Sequence, residues 1–181
     1  AAEAELTEGR ISMAHWMASA ELKRSLREDF AALMHAPPSS VALAHNTTEG
    51  VNLALWGLNW QAGDEVITTT LEHPGVTVPL ALLRQRFGIV VRFAEVGLGE
   101  ADRVLDALSR AFTPRTRLVA LSHVSYSSGA LFPLAEIVEL AHRRGAWVLV
   151  DAAQSLGAIP VDVTALGVDF YACSGQKWLC G

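Results

Sequence analysis

The chain has 181 residues, of which 51% are hydrophobic and 18% charged, with a formal net charge of -5, so it can bury a core and is the size of one domain or a large part of one. Its charges are interleaved with no basic block, which argues against nucleic acid or an anionic membrane as partner. No apolar run approaches the roughly 20 residues that cross a bilayer, and the N-terminus opens on acidic residues with no signal peptide, so a cytoplasmic protein is expected.

Residues 1–36 are rich in Ala, Leu and Met, and Leu22, Leu26, Phe30 and Leu33 recur at helical spacing before Pro37 and Pro38 stop the run, which predicts an N-terminal segment of one or two helices. Short apolar runs then alternate with amphipathic stretches: a strand at Val41–Ala44, a helix at Glu49–Leu58 and a strand at Glu65–Thr69. A helix at Val76–Phe87, closed by Gly88, leads to a strand at Ile89–Phe93, a helix near Ala101–Ala111 and a strand at Leu118–Ser122. Pro133 suits the first turn of a helix and Gly145 the position past its end. Strands at Trp147–Val150 and Val168–Cys173 complete the set.

This alternation predicts an α/β fold over residues 37–181, a mainly parallel sheet with helices on both faces. The last strand runs straight into Ser174–Gly181 without a closing helix, so this domain is expected to be incomplete, cut at its C-terminal end.

In such sheets ligands sit at the carboxyl ends of the strands. Asn46-Thr47-Thr48-Glu49-Gly50 places hydroxyls at a helix N-terminus, where free N–H groups and the helix dipole favour a phosphate. Glu72-His73-Pro74 and His123-Val124-Ser125-Tyr126 follow other strands, Asp151 ends the most apolar strand with Gln154 three residues on, and the last strand leads to Ser174, Gln176 and Lys177. The chain has only two lysines, Lys23 and Lys177, and Lys23 lies in a charged helical stretch.

A phosphate cradle, a buried acid, a flat side chain and an amine are the parts that pyridoxal 5'-phosphate (PLP) needs together. On this reading Lys177 forms a Schiff base and later moves the substrate's alpha proton. Asp151 pairs with the ring nitrogen, His73 lies over the ring and joins Lys177 as a catalytic residue, and Gln154 donates to the ring's phenolic oxygen. Thr47, Thr48 and Ser174 hold the phosphate, with Gln176 completing the cofactor-binding set.

Ordinary readings stand beside these: Asp151 as a turn cap, Thr47 and Thr48 as helix caps, His73 as a loop histidine and Gln154 as a structural hydrogen-bonder. His123 and Tyr126 are expected near the site. Cys173 and Cys180 read as small core residues, and neither they nor the six scattered histidines have the spacing of a metal site.

Through N-T-T-E-G-V-N, L-E-H-P, S-H-V-S-Y-S-S-G, V-D-A-A-Q-S and S-G-Q-K-W, the sequence from Ala44 onward resembles the class V aminotransferase family, which includes cysteine desulfurases. The resemblance implies PLP-dependent transferase fold type I, a homodimer with active sites near the subunit interface, and a cytoplasmic enzyme acting on an amino acid. Desulfurases usually carry His where this chain has Gln176 and Asn where it has Tyr126. The family's reactive cysteine and substrate-binding arginine fall beyond Gly181.

The leading expectation is therefore an aminotransferase-type PLP enzyme. The alternatives are a cysteine desulfurase or C–S lyase, an amino-acid epimerase of the same family, and more distantly a non-catalytic PLP-fold protein, against which the joint presence of Lys177 and Asp151 argues. A nicotinamide-dependent oxidoreductase is disfavoured because no G-x-G-x-x-G follows a strand. The 181 residues alone are expected to have little or no activity.

Overall fold

A computed structural model describes residues 9–180. The chain parts into two compact units, residues 1–43 and 44–181.

In the first unit, helix α1 (Met13–Met34) starts at Ser12, whose side chain accepts the His15 N–H, and ends where His35 turns left-handed at φ 53°. Among the described residues, the segment predicted as one or two helices contains this one helix; residues 1–8 lie outside them. Ala31 and Met34 are buried, whereas Leu22, Leu26 and Leu33 of the predicted apolar stripe are exposed.

A short 3-10 turn, Pro38–Ser40, follows. The strand predicted at Val41–Ala44 does not form. Val41 is extended (φ -95°, ψ 118°), but residues 41–44 pair with no strand, and extension without a neighbouring ladder is not a strand.

The second unit contains α2 (Thr47–Gly57), β1 (Glu65–Thr69), α3 (Pro74–Phe87), β2 (Val90–Ala94), α4 (Ala101–Ala111), β3 (Thr116–Ser122), α5 (Leu134–His142), β4 (Trp147–Asp151), a short α6 (Val163–Leu166) and β5 (Phe170–Ala172). The five strands run in the order β2-β1-β3-β4-β5, and every pair is parallel.

The apolar strands bury both faces. Leu118 and Ala120 of β3 and Leu149 of β4 join Val51 and Leu55 of α2 and Val76, Leu80 and Leu83 of α3 in one cluster. Their neighbours Val119, Leu121, Val148 and Val150 point the other way and join Val104 and Leu108 of α4 and Ile137 of α5. Helices therefore cover both faces, as the alternation predicts. Each fully buried Leu or Ile in these clusters contributes roughly 1.5–3 kcal/mol.

The two ends of the sheet are used differently. At the amino end the buried Glu65 accepts from Arg92 (2.5 and 2.8 Å) and from Thr113 Oγ1 (2.7 Å), tying β1 to β2 and to the entry of β3. The Arg92 guanidinium holds the Glu65 carboxyl below its ordinary range, so this network is a settled ion pair. At the carboxyl end the polar groups are left incompletely paired.

Candidate functional site

A cleft of about 220 Å³ opens at the carboxyl ends of β1, β3, β4 and β5 and the N-terminus of α2. It is lined by Thr47, Thr48, His73, Asp151, Gln154, Ser174, Gln176 and Lys177, which the structure thus brings together from four separate stretches of chain. Asn46, Ser122, Val124, Tyr126 and Ala153 complete the lining.

The α2 wall follows from its cap. Asn46, extended at φ -165°, accepts the Glu49 N–H through Oδ1 at 2.9 Å, so the cap is Asn46 and not the threonines. Thr47 is free to turn its hydroxyl elsewhere. A Cβ on Gly50 would lie 3.1 Å from the Ala172 side chain, so glycine is what lets α2 dock closely against β5.

On the facing loop Ser174 is 8% exposed, close to the 7% of Thr47. Among the described residues three buried side-chain oxygens have no partner, those of Thr47, Thr68 and Ser174, and two of the three border this cleft. Buried hydroxyls are almost always hydrogen-bonded, so two orphans beside a helix N-terminus fit an acceptor-rich anion such as a phosphate.

At the end of β1, His73 caps α3: its Nδ1 accepts the Gly75 N–H at 2.9 Å, which leaves the ring proton on Nε2. The Tyr126 ring stands edge-on to it, with centroids 5.0 Å apart and planes at 90°. The histidine is therefore an exposed ring at the cleft, held by its cap bond and by the edge of Tyr126.

Gly75 is required here for space: a Cβ would come within 2.7 Å of Thr48 Oγ1 and 3.0 Å of His73 Nδ1. Gly75→Ala is expected to displace both side chains and weaken cofactor binding while leaving the fold intact. A PLP titration compared with the melting temperature checks this; unchanged affinity refutes it.

Asp151 is 7% exposed at the end of β4. Burial pushes its carboxyl above the ordinary value, against smaller opposing pulls from the Ala153 N–H, the His73 ring and Lys177. Its Oδ1 accepts that Ala153 N–H at 3.0 Å, so the turn-cap reading also holds, without excluding a ligand at the other oxygen. A desolvated acid facing an amine across a cleft is poised to receive a cation.

Glu72, named from sequence only as part of Glu72-His73-Pro74, is given no role there. It is 7% exposed, and accepts from Thr69 Oγ1 and Ser122 Oγ, each at 2.6 Å. Ser122 is the register partner of Asp151 across β3 and β4, so this second buried acid braces the floor of the cleft. Burial raises its carboxyl too, with a further contribution from Asp151. A loop glutamate between Leu71 and His73 gives no sequence signal of burial; only the position of Ser122 on the next strand reveals it.

His123 is not part of the lining. It is buried and its Nδ1 lies 3.0 Å from the Tyr171 hydroxyl, with its pKa pulled down to about 4 by burial. Cys173 is partly buried, its thiol pushed up to about 11 by burial, which makes it a poor nucleophile at neutral pH. Cys180, read from sequence as a core residue, is instead exposed, and the chain is left-handed there at φ 55°.

The chain is similar to known proteins in sequence and in fold. The sequence model of the family described as Aminotransferase class-V matches residues 6–181. A probable cysteine desulfurase of Mycolicibacterium paratuberculosis is 41% identical over 83% of this chain and 22% of its own length. A cysteine desulfurase of Klebsiella pneumoniae is 44% identical over 76% of this chain and 34% of its own.

Among solved structures, the cystine C–S lyase C-DES in complex with its product cysteine persulfide superposes with a TM-score of 0.94 at 38% identity, over 99% of this chain and 49% of that one. A C-DES variant with glycine covalently linked to its PLP cofactor gives 0.93 at 37% identity, over 98% of this chain and 47% of that one. The chain thus spans about a fifth to a third of these two curated relatives and just under half of the two solved chains.

Proposed function

The chain belongs to the class V aminotransferase family, and from that premise we propose that it is the cofactor-binding part of a PLP-dependent enzyme that cleaves a carbon–sulfur bond in cysteine or a cysteine-derived amino acid. The observation that carries the reading is the near-complete superposition on a cystine C–S lyase with all eight expected PLP-site residues lining one cleft. The similarity to desulfurases and a C–S lyase favours this alternative over the aminotransferase-type expectation.

The cleft fits PLP by its own chemistry. The orphaned hydroxyls of Thr47 and Ser174, with Thr48 and the N-terminus of α2, suit the phosphate, and the buried Asp151 suits a protonated ring nitrogen. When bound, PLP supplies an electron sink that labilises the bonds at a substrate's alpha carbon.

Lys177, exposed at the cleft, would hold the cofactor through Nζ, and the same amine would hold and return the proton of a substrate's alpha carbon. Asp151 would keep the proton on the ring nitrogen. His73, held by Gly75 and Tyr126, would cover the ring; Gln154 and Gln176 would supply polar contacts from the cleft wall. We also propose a homodimer acting in the cytoplasm, supported by the family resemblance, and little or no turnover by the 181 residues alone.

The test is product analysis with the full-length protein and PLP. Cysteine should yield alanine with its sulfur passed to a thiol as a persulfide, or cystine should yield pyruvate, ammonia and cysteine persulfide. Amino transfer to a keto acid with the sulfur retained on the carbon chain would overturn the C–S reading and restore the aminotransferase one.

A further inference from the structure

We propose that Trp178 is a positioning residue that fixes the side-chain amide of Gln154 so that its NH2 group, and not its oxygen, faces the cofactor. This rests on the reading of the cleft as a PLP site.

The indole Nε1 of Trp178 lies 3.2 Å from Gln154 Oε1. A carboxamide has nearly the same shape in either orientation, and only its hydrogen bonds decide between them. Here the chemistry decides, because an indole N–H can only donate and must meet the carbonyl oxygen. With that oxygen engaged outside, the NH2 is the group left for the cleft that Gln154 shares with Lys177 and Asp151. The ring oxygen of PLP is an acceptor when ionised, so an amide oxygen turned toward it would repel where an N–H binds.

A second contact holds the two partners in register. Gly157 sits at φ +86°, and a Cβ there would come within 2.7 Å of Leu179 Cδ2 and 3.1 Å of Trp178 Cβ. The turn over residues 152–158 therefore packs directly on the turn over 174–180, and the Leu179 N–H closes the latter onto the Gly175 carbonyl at 3.2 Å. The turn that carries Lys177 thus also carries the group that aims Gln154, and one docking contact sets the covalent anchor and the ring-oxygen donor together. Trp178 is 52% exposed, so replacing its indole by a phenyl ring leaves the core untouched.

The test is a double-mutant cycle in the full-length protein with Trp178→Phe, Gln154→Ala and the pair, read by PLP titration and by the pH midpoint of the bound cofactor's near-visible band. Trp178→Phe is expected to weaken PLP binding about 5-fold, the size of one neutral hydrogen bond. It should also raise the pH midpoint, since a donor on the ring oxygen withholds that anion from the neighbouring nitrogen's proton.

In the Gln154→Ala background the same change is expected to do nothing further. Gln154→Glu keeps an acceptor for Trp178 but turns an oxygen to the cleft, and should bind PLP more weakly than Gln154→Ala. A fully additive cycle, a wild-type midpoint in Trp178→Phe, or Gln154→Glu binding as well as Gln154→Ala overturns the proposal while leaving the PLP site standing. Failure of the wild type to bind PLP overturns both.

Discussion

Lys177→Ala is expected to abolish covalent attachment of the cofactor: borohydride reduction should fix PLP to the wild-type protein on the peptide containing residue 177 and fix none to the variant. Turnover should fall by about 10²–10⁴-fold from the lost proton transfer alone. The expectation follows from elimination as well as from geometry. Of the two lysines, Lys23 lies on α1 beside Arg24, which is paired with Glu21 and Glu28, whereas Lys177 lines the cleft and acts electrostatically on Asp151.

Non-covalent binding should survive in the variant, because the orphaned hydroxyls of Thr47 and Ser174 and the buried Asp151 are untouched. Loss of the reduced adduct with PLP still bound would therefore separate the anchor from the pocket. An adduct of equal yield in Lys177→Ala, or one mapped to residue 23, would remove Lys177 from the mechanism. Lys23→Ala serves as the control and should behave as the wild type.

The central strands were legible because a parallel strand buried on both faces is a nearly continuous apolar run; Leu118–Ser122 and Trp147–Val150 fall within the observed β3 and β4. The same rule misleads at Val41–Ala44, where four residues are apolar but nothing pairs with them, since a sequence shows composition and not the neighbour that completes a ladder.

The cleft was legible for a related reason: the carboxyl ends of strands can be found once the strands are. What could not be read were roles set across the fold. Asn46, not Thr47 or Thr48, caps α2, which is what leaves the Thr47 hydroxyl unpartnered. Glu72 has the sequence context of a surface loop and becomes a buried acid only because Ser122 lies on the next strand. His123, read as near the site, lies between the lining residues Ser122 and Val124 but is not itself in the lining, its Nδ1 lying 3.0 Å from the Tyr171 hydroxyl.

Asp151→Asn is expected to change stability in opposite directions with and without the cofactor. Burial raises the Asp151 carboxyl above its ordinary 3.8, so the folded protein binds that proton more tightly than the unfolded chain does. The contribution is fully present below about 3.8 and is lost as pH climbs through the raised folded value, so at neutral pH the bare carboxylate costs stability.

Asparagine removes the cost, and cofactor-free Asp151→Asn should melt above the wild type at neutral pH. Its stability should also depend less on pH in the acid range. Some dependence must remain, because Glu72 beside it is raised by its own burial and still titrates.

With PLP the order should reverse. At a ligand concentration 100 times the dissociation constant the wild type gains about 2.7 kcal/mol; a variant binding 100-fold more weakly gains only about 0.4 kcal/mol at the same concentration. Turnover should drop about 10²–10³-fold, as when one preorganised electrostatic group is lost. Melting curves at several pH values, with and without PLP, measure both arms. If Asp151 were only a turn cap, the amide oxygen of asparagine would still accept the Ala153 N–H and the gain from PLP would be that of the wild type; the cofactor arm therefore isolates the charge that the ring nitrogen needs.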